Sequence, residues 1–478
     1  MSQLDGLPIP RRYWALLALA LGTILAVLDG AIANVALPTI ARELHADPAT
    51  SIWVVNAYQM VIVIALLPLA SMAERVGYRR VYLGGLAIFT VASLACALSH
   101  TLLMLTAARV VQGFGAAGLM SVNIAVLRSI FPTRLLSRGV AINASIVAVS
   151  SAAGPTLASA ILSITTWNWL FAVNVPIGIV ALLVGLRAMP SNELHSRPYD
   201  YLSALLNALT FGLAILAVDG LGHPGGRLWV AGEFAGAVII GIVFVRRQLS
   251  QAAPLLPVDL LRIPMFAMAI GTSVCAFTSQ MLAFVSLPFY LQDALGRSQV
   301  ETGLLMTPWP LTIVVVAPIA GRLVDRVPAG MLGGVGLFSF ALGLILLALL
   351  PAHPSALDIV WRMAICGFGY GIFQTPNNHA ILSSAPRART GGASGMLGAA
   401  RLTGQTLGAA FVALIFGVVP VHGTTVALVV GACFAANRRA REPRPAREPL
   451  GRGELRRRRV AAGSPRSTGS TRSAAQGR

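Results

Sequence analysis

Long apolar stretches, separated by short polar breaks, follow one another from Tyr13 to Ala436. As an α-helix, a run of about 18 or more apolar residues crosses a hydrocarbon core about 30 Å thick. The pattern predicts fourteen spans, at residues 13–34, 52–72, 81–99, 102–123, 139–162, 169–187, 200–218, 229–245, 266–291, 302–320, 331–350, 358–381, 392–417 and 419–436. Lipid offers no partner to backbone N–H and C=O groups, so spans of this length are helices and the fold class is an all-α integral membrane bundle. The last span is the least regular, holding Pro420, His422 and Gly423.

The two halves of the pattern match. Ala70-Ser71-Met72-Ala73-Glu74-Arg75-Val76 aligns with Gly321-Arg322-Leu323-Val324-Asp325-Arg326-Val327 at an offset of 251. Gly113-Phe114-Gly115 aligns with Gly367-Phe368-Gly369, and Asn123 with Asn377, at an offset of 254. Spans 1–6 therefore correspond to spans 9–14. The predicted domains are a six-helix bundle at 1–190, an inserted helix pair at 191–250, a second six-helix bundle at 251–437 and a tail at 438–478. Six is even, so both halves enter the membrane in the same sense, which makes them parallel repeats about an axis along the membrane normal. Such repeats build transporters that expose a central site alternately to each side.

Arginine fixes the expected orientation. Seventeen arginines fall in one alternating set of loops, against Arg42, Arg227 and Arg297 in the other. Positive loops stay in the cytoplasm, so both termini are expected there, in a multi-pass protein of the cytoplasmic membrane. The tail from Arg438 carries 13 arginines and three glutamates. Its Arg/Pro/Gly/Ser composition predicts disorder beside anionic headgroups rather than nucleic-acid binding.

Composition narrows the function. The chain is 56% hydrophobic and 11% charged, and all 36 basic residues are arginine. Without lysine there is no Walker A phosphate loop and no Schiff-base chemistry, so uphill transport draws on an ion gradient or a separate subunit. Cys96, Cys275, Cys366 and Cys433 stand alone in apolar segments and the seven histidines are scattered. No metal, cofactor or catalytic constellation is expected, and the protein is read as no enzyme.

Charges inside spans are the candidate chemistry, since one at mid-helix costs about 2.5–3.5 kcal/mol even on a lenient scale. Asp29 lies 17 residues beyond Arg12, roughly 26 Å along the axis at about 1.5 Å per residue, in the outer half of the membrane. A buried carboxyl that alternately holds a proton and meets water serves coupling; a static pair is the other reading. Arg109 shares a helix face with Gln112 and needs acceptors, either exchanged during a cycle or fixed. Arg401 is similarly isolated in span 13. Glu74, Arg75, Gly77, Arg79 and Arg80, repeated as Asp325-Arg326, read either as positive-inside charge or as a cytoplasmic latch of breakable ion pairs. Gly154-Pro155, within the small-residue run Ser150–Ser159, predicts close helix approach and a bend.

Leu28-Asp29-Gly30-Ala31-Ile32-Ala33-Asn34-Val35-Ala36-Leu37-Pro38, Arg109-Val110-Val111-Gln112-Gly113, Gly154-Pro155 and Asn174-Val175-Pro176-Ile177-Gly178 together resemble the motifs of the fourteen-helix drug:proton antiporter family of the major facilitator superfamily. The likeness covers residues 10–436. Ala31, Ala70, Glu74, Tyr78 and Asn168 replace residues common in that family. The resemblance implies a part for Arg109 in proton transfer and, through the Gly154-Pro155 motif, export rather than uptake. The expected function is proton-coupled antiport of small, lipophilic or drug-like molecules by a monomer, with solute bound between the bundles in a largely apolar cavity. Carriage of another metabolite or in the other direction is the alternative, and a membrane sensor or enzyme the remote one.

Overall fold

The computed structural model describes residues 6–190, 199–221, 227–251, 254–324, 326–386, 389–419 and 421–436. The predicted tail at 438–478 and Asp325 lie outside the described residues, which contain helices and no strand. Fourteen helices follow the hydropathy pattern. They are α1 (Arg11–Glu43), α2 (Trp53–Val76), α3 (Tyr78–Ala97), α4 (Leu102–Ile130), α5 (Leu136–Leu162), α6 (Asn168–Ala188), α7 (Tyr201–Gly220) and α8 (Arg227–Ser250). Then come α9 (Pro264–Phe289), α10 (Gln299–Val324), α11 (Ala329–Ala348), α12 (Ala356–Ser384), α13 (Thr390–Val418) and α14 (Gly423–Ala436). Thirteen are long and apolar enough to span a membrane; α14, with 14 residues, is shorter than the span predicted at 419–436 because α13 ends at Val418 and helix resumes only at Gly423. Large apolar side chains such as Val91, Leu103 and Phe338 are left exposed, a surface suited to lipid rather than water.

Packing reproduces the repeat. In the first half α3 packs on α4, α2 on α4, α1 on α5 and α6, and α3 on α6; α11 on α12, α10 on α12, α9 on α13 and α14, and α11 on α14 are the same pairs eight helices later. These are two six-helix bundles related as parallel repeats. The inserted α7 and α8 pack on each other, and α7 touches both bundles through α2 and α13.

The glycines that betray the duplication are those where helices touch backbone to backbone. A Cβ on Gly115 would sit 2.5 Å from the Phe89 nitrogen and 2.7 Å from the Gly85 oxygen; on Gly369 it would sit 2.3 Å from the Phe340 nitrogen and 2.7 Å from the Gly336 oxygen. A Cβ on Gly113 meets the Tyr58 oxygen at 2.8 Å, and one on Gly367 meets the Trp309 oxygen at 2.3 Å. Asn123 donates to Thr23 as Asn377 donates to Ser273, at 2.8 and 2.7 Å. Small residues let helix backbones approach in lipid, where apolar burial supplies no drive. Gly369→Leu is therefore expected to abolish folded protein, because the obstacle is backbone and cannot rotate away. Gly271→Leu, whose Cβ meets nothing within 4 Å, should leave yield unchanged. Size-exclusion profiles of fluorescent fusions check both.

The insert has its own polar clasp. Asp200, just before α7, accepts from Arg247 of α8 at 3.0 Å, from the Ser203 backbone at 3.0 Å, and from Gln251. Partial burial disfavours its charge, but these donors and the Ser203 hydroxyl outweigh it and hold the carboxyl well below the usual carboxylate range.

The bundles meet through α1 with α9, α5 with α10, and α2 with α13. Near the end assigned outward by the arginine pattern, Arg42 and Thr39 donate to Gln292 Oε1 at 2.9 and 3.3 Å, and Gln292 Nε2 donates to the Val35 carbonyl at 3.1 Å. Thr156 and Thr307 hydroxyls lie 2.7 Å apart, and Ser159 Oγ donates to the Gln299 carbonyl at 3.4 Å. That end of the bundle interface is closed.

Candidate functional site

Asp29 belongs to the inward face of α1, where Leu28, Ile32 and Ala33 are also buried. Its neighbour Gly30, about 100° further round the helix, borders a cavity between the bundles. Asp29 itself turns into the first bundle, where it is 2% exposed. There it accepts from Arg109 Nη1, from Gln112 Nε2 at 3.0 Å and from Asn174 Nδ2 at 2.8 Å.

Arg109 and Gln112, one turn apart on α4, are both fully buried. Arg109 Nη1 also donates to Gln112 Oε1 at 2.7 Å, and its Nε donates to the Val54 carbonyl of α2 at 2.9 Å. Gln112 Nε2 donates to Ser93 Oγ of α3 at 2.9 Å. The guanidinium carbon lies 4.0 Å from the Tyr58 ring centroid and 5.5 Å from that of Phe171, so two aromatic faces replace part of its hydration. Arg109 Nη2 has no hydrogen-bond partner. Five helices thus surround one ion pair, and a proton taken by Asp29 would leave Arg109 held only by dipoles and rings.

Tyr58 joins this pair to the cavity. Its ring lies against Arg109, the residue also borders the cavity, and its hydroxyl donates to the Ala26 carbonyl at 3.0 Å. Tyr58 is therefore in contact with both the ion pair and the space where solute would sit.

The cavity has a volume of about 450 Å³ and is walled by α1, α2, α4 and α5 of one bundle and α9, α10, α12 and α13 of the other. The wall is less apolar than the sequence suggests: Asn34, Gln59, Gln280, Gln374, Asn378 and Gln405 all border it. Arg401 stands apart from Asp29, Arg109 and Gln112, on the far wall.

The other sequence candidates are placed as follows. Gly154 lets α5 rest on α1, since a Cβ there would come within 2.5 Å of Ala31 Cβ. Pro155 lies within an unbroken α5, and its carbonyl accepts from Ser159 Oγ at 2.9 Å. Gly77, at φ +110°, makes the break between α2 and α3, a conformation suited to glycine. Glu74, Arg75 and Arg326 are exposed, and among the described residues none of Glu74, Arg75, Arg79, Arg80 and Arg326 forms an ion pair. Arg79 donates to the Leu186 carbonyl and Arg80 Nη1 to the Val76 carbonyl at 3.4 Å.

Sequence reasoning missed Asn174, Ser93 and Tyr58 as partners of the ion pair, and the six amides of the cavity. Asn174 carried a signal as a polar residue between apolar ones, beside the break at Val173 that starts the main part of α6. Uncharged amides inside spans carry little signal alone.

The sequence model of the Major Facilitator Superfamily matches residues 19–409. The Escherichia coli K12 protein named "Uncharacterized transporter YebQ" is 59% identical over 91% of this chain and 95% of its own length. The riboflavin transporter RibZ of Clostridioides difficile is 29% identical over 85% of this chain and 88% of its own. The multidrug efflux pump LfrA of Mycolicibacterium smegmatis is 30% identical over 85% of this chain and 81% of its own. With the paired six-helix bundles, these matches place the chain in the Major Facilitator Superfamily as a multi-pass membrane transporter.

Proposed function

We propose that the chain is a proton-coupled antiporter that exports small, lipophilic or drug-like molecules, antibiotics among them, across the cytoplasmic membrane by alternating access. Both termini lie in the cytoplasm, the monomer is the working unit, and neither nucleic acid nor a cofactor takes part. The observation that carries the reading is the buried Asp29–Arg109 pair, in contact with a tyrosine that also borders the central cavity.

In the deprotonated state Asp29 anchors Arg109, Gln112 and Asn174 together and keeps α1, α4 and α6 in one arrangement. Protonation removes the counter-charge, and the guanidinium then leans on Tyr58 and the Val54 carbonyl. Solute against the other face of Tyr58 presses on the same ring, so solute and proton bias one element from opposite sides. Entry of a proton from outside favours release of solute outward; its loss toward the cytoplasm resets the pair. Glu74, Arg75, Gly77, Arg79, Arg80, Asp325 and Arg326 are the proposed latch of the opposite closed state, and Gly154-Pro155 the joint on which α5 bears against α1. LfrA's naming as a multidrug efflux pump supports export of drug-like solutes.

A second reading, carriage of a metabolite or movement inward, is favoured by the relative named a riboflavin transporter. Everted membrane vesicles separate the two. A panel of antibiotics, aromatic acids, flavins and lipophilic cations is offered with the pH gradient intact or collapsed. Accumulation that disappears with the gradient is expected for at least one drug-like member; accumulation indifferent to the gradient would remove proton antiport.

A further inference from the structure

The charge on the cavity wall is lopsided. Among the residues bordering it, Arg401 is the one with a formal charge, and no aspartate or glutamate is present. Asp29 lies next to the wall, yet it turns away and is neutralised by Arg109 within the first bundle. The sign of the field in the cavity is therefore set by Arg401.

Arg401 has no counter-ion. Among the described residues no carboxylate lies within ion-pair distance of it, and its Nε is buried without an acceptor. A lone guanidinium in a low-dielectric space is costly, and the polar residues that border the cavity with it, Tyr370 and the amides among them, are all uncharged. Four other residues that border the cavity, from both bundles, also carry an unsatisfied polar atom: Gln59 Oε1, Asn34 Oδ1, Asn378 Oδ1 and the Tyr370 hydroxyl. Buried polar groups ordinarily find partners, so unpaired ones on residues around a cavity leave polar capacity that a side-chain rotation can turn toward a bound polar solute. The rest of the wall supplies flat surfaces, with Tyr58 and Phe284 on it and Phe277 edge-on to Tyr370 at 5.8 Å between centroids.

Taken with the transport reading, on which it rests, we propose that this cavity selects organic monoanions, a carboxylate carried on a flat aromatic frame, with Arg401 as the anchoring counter-ion. The carboxylate accepts from the Arg401 guanidinium, the ring lies among Tyr58, Phe277, Phe284 and Tyr370, and the amides serve the remaining polar atoms. A lipophilic cation of the same size meets an uncompensated positive charge and has no carboxylate to reach. The ring that touches Tyr58 is also the part of the solute that senses the ion pair, so binding and coupling use opposite ends of one molecule.

The test uses the purified full-length protein in nanodiscs, without any pH gradient, and three probes of one shape: anthracene-2-carboxylate, its carboxamide, and anthracen-2-ylmethylammonium. Binding is read by fluorescence anisotropy. The carboxylate is expected to bind at least about tenfold tighter than either partner, as a charge-assisted contact implies. Arg401→Gln should reduce that preference to under about threefold, while Arg401→Lys, which keeps the charge, should retain more of it. Equal binding of the three, preference for the ammonium, or no saturable binding of the carboxylate up to about 1 mM would overturn the proposal. If neither variant elutes as a monodisperse species, the wild-type preference decides alone. Because no gradient is present, a carboxylate preference together with gradient-independent vesicle transport removes proton coupling and leaves this inference standing. Gradient-driven export of cations without carboxylate binding does the reverse.

Discussion

Asp29→Asn is expected to end gradient-driven transport altogether while leaving a folded protein. Asparagine keeps the shape of the side chain and one acceptor oxygen, so Gln112 or Asn174 retains a partner. It takes up no proton, and Arg109 loses the one carboxylate within ion-pair distance among the described residues. Breaking a buried pair by removing one partner costs about 3–5 kcal/mol, because the remaining charge is left without compensation. Lower thermal stability should therefore accompany the loss of transport. Asp29→Asn combined with Arg109→Gln separates the two effects. Removing both charges should recover most of the stability, as replacement of a whole buried pair often does, yet transport should stay absent. Thermal unfolding and vesicle uptake on the same four proteins read the cycle. Transport restored by the double substitution would mean that the pair is structural and that protons bind elsewhere.

Gly303→Val is expected to hold the transporter away from the conformation described here. A Cβ at Gly303 would fall 1.6 Å from Ser159 Oγ and 2.4 Å from the Pro155 carbonyl. The hydroxyl can rotate, but the carbonyl belongs to the α5 backbone, so α5 and α10 must part. That contact lies at the end of the interface that the arginine pattern assigns outward, beside the Thr156–Thr307 hydrogen bond. The substitution does not touch the interior of either bundle, so the expected product is folded, open outward and nearly inactive. Thr156→Cys, in a background lacking the exposed Cys433, reports the opening. A membrane-impermeant maleimide added from outside should label it slowly in the parent and at least about tenfold faster with Gly303→Val, as a shift of about 1.4 kcal/mol in the opening equilibrium implies. Unchanged labelling with normal transport would show that α5 and α10 need not approach so closely.

The fold was legible in the sequence because lipid leaves few choices. An apolar run of sufficient length is a helix, and the short polar breaks divide one run from the next. The duplication was legible for a related reason: Gly113, Gly115, Gly367 and Gly369 sit at backbone contacts, where no larger residue fits in either half. The α14 boundary was less clear, since Pro420 and Gly423 interrupt the run without marking where helix restarts.

The site was legible only in part. Asp29 and Arg109 each stand out as charges in apolar spans, but 80 residues separate them, and nothing local says that they meet. Asn174, on α6, completes the carboxylate's set of donors from 145 residues away. Arg401 also stands out as a charge, and the sequence groups it with the coupling residues. The structure puts it across the cavity, where its missing counter-ion rather than its position along the chain suggests its task. The comparison of the bundles adds a contrast. At the offset of 254, Arg109 and Gln112 correspond to Met363 and Cys366, and at 251 Tyr58 corresponds to Trp309. The second bundle keeps the packing of the first without its ion pair, so the coupling chemistry proposed here belongs to one half of a duplicated scaffold.

Proton movement against solute movement, in sealed proteoliposomes holding purified protein and a trapped pH dye, tests the central claim most directly. The solute is the compound that the vesicle panel shows to be exported, added outside with no imposed gradient. Entry of solute should carry protons out and turn the lumen alkaline, opposite in sign to passive entry of a weak acid, and Asp29→Asn should abolish the signal. Solute that enters through the protein while the lumen pH stays level with protein-free liposomes would contradict exchange for protons.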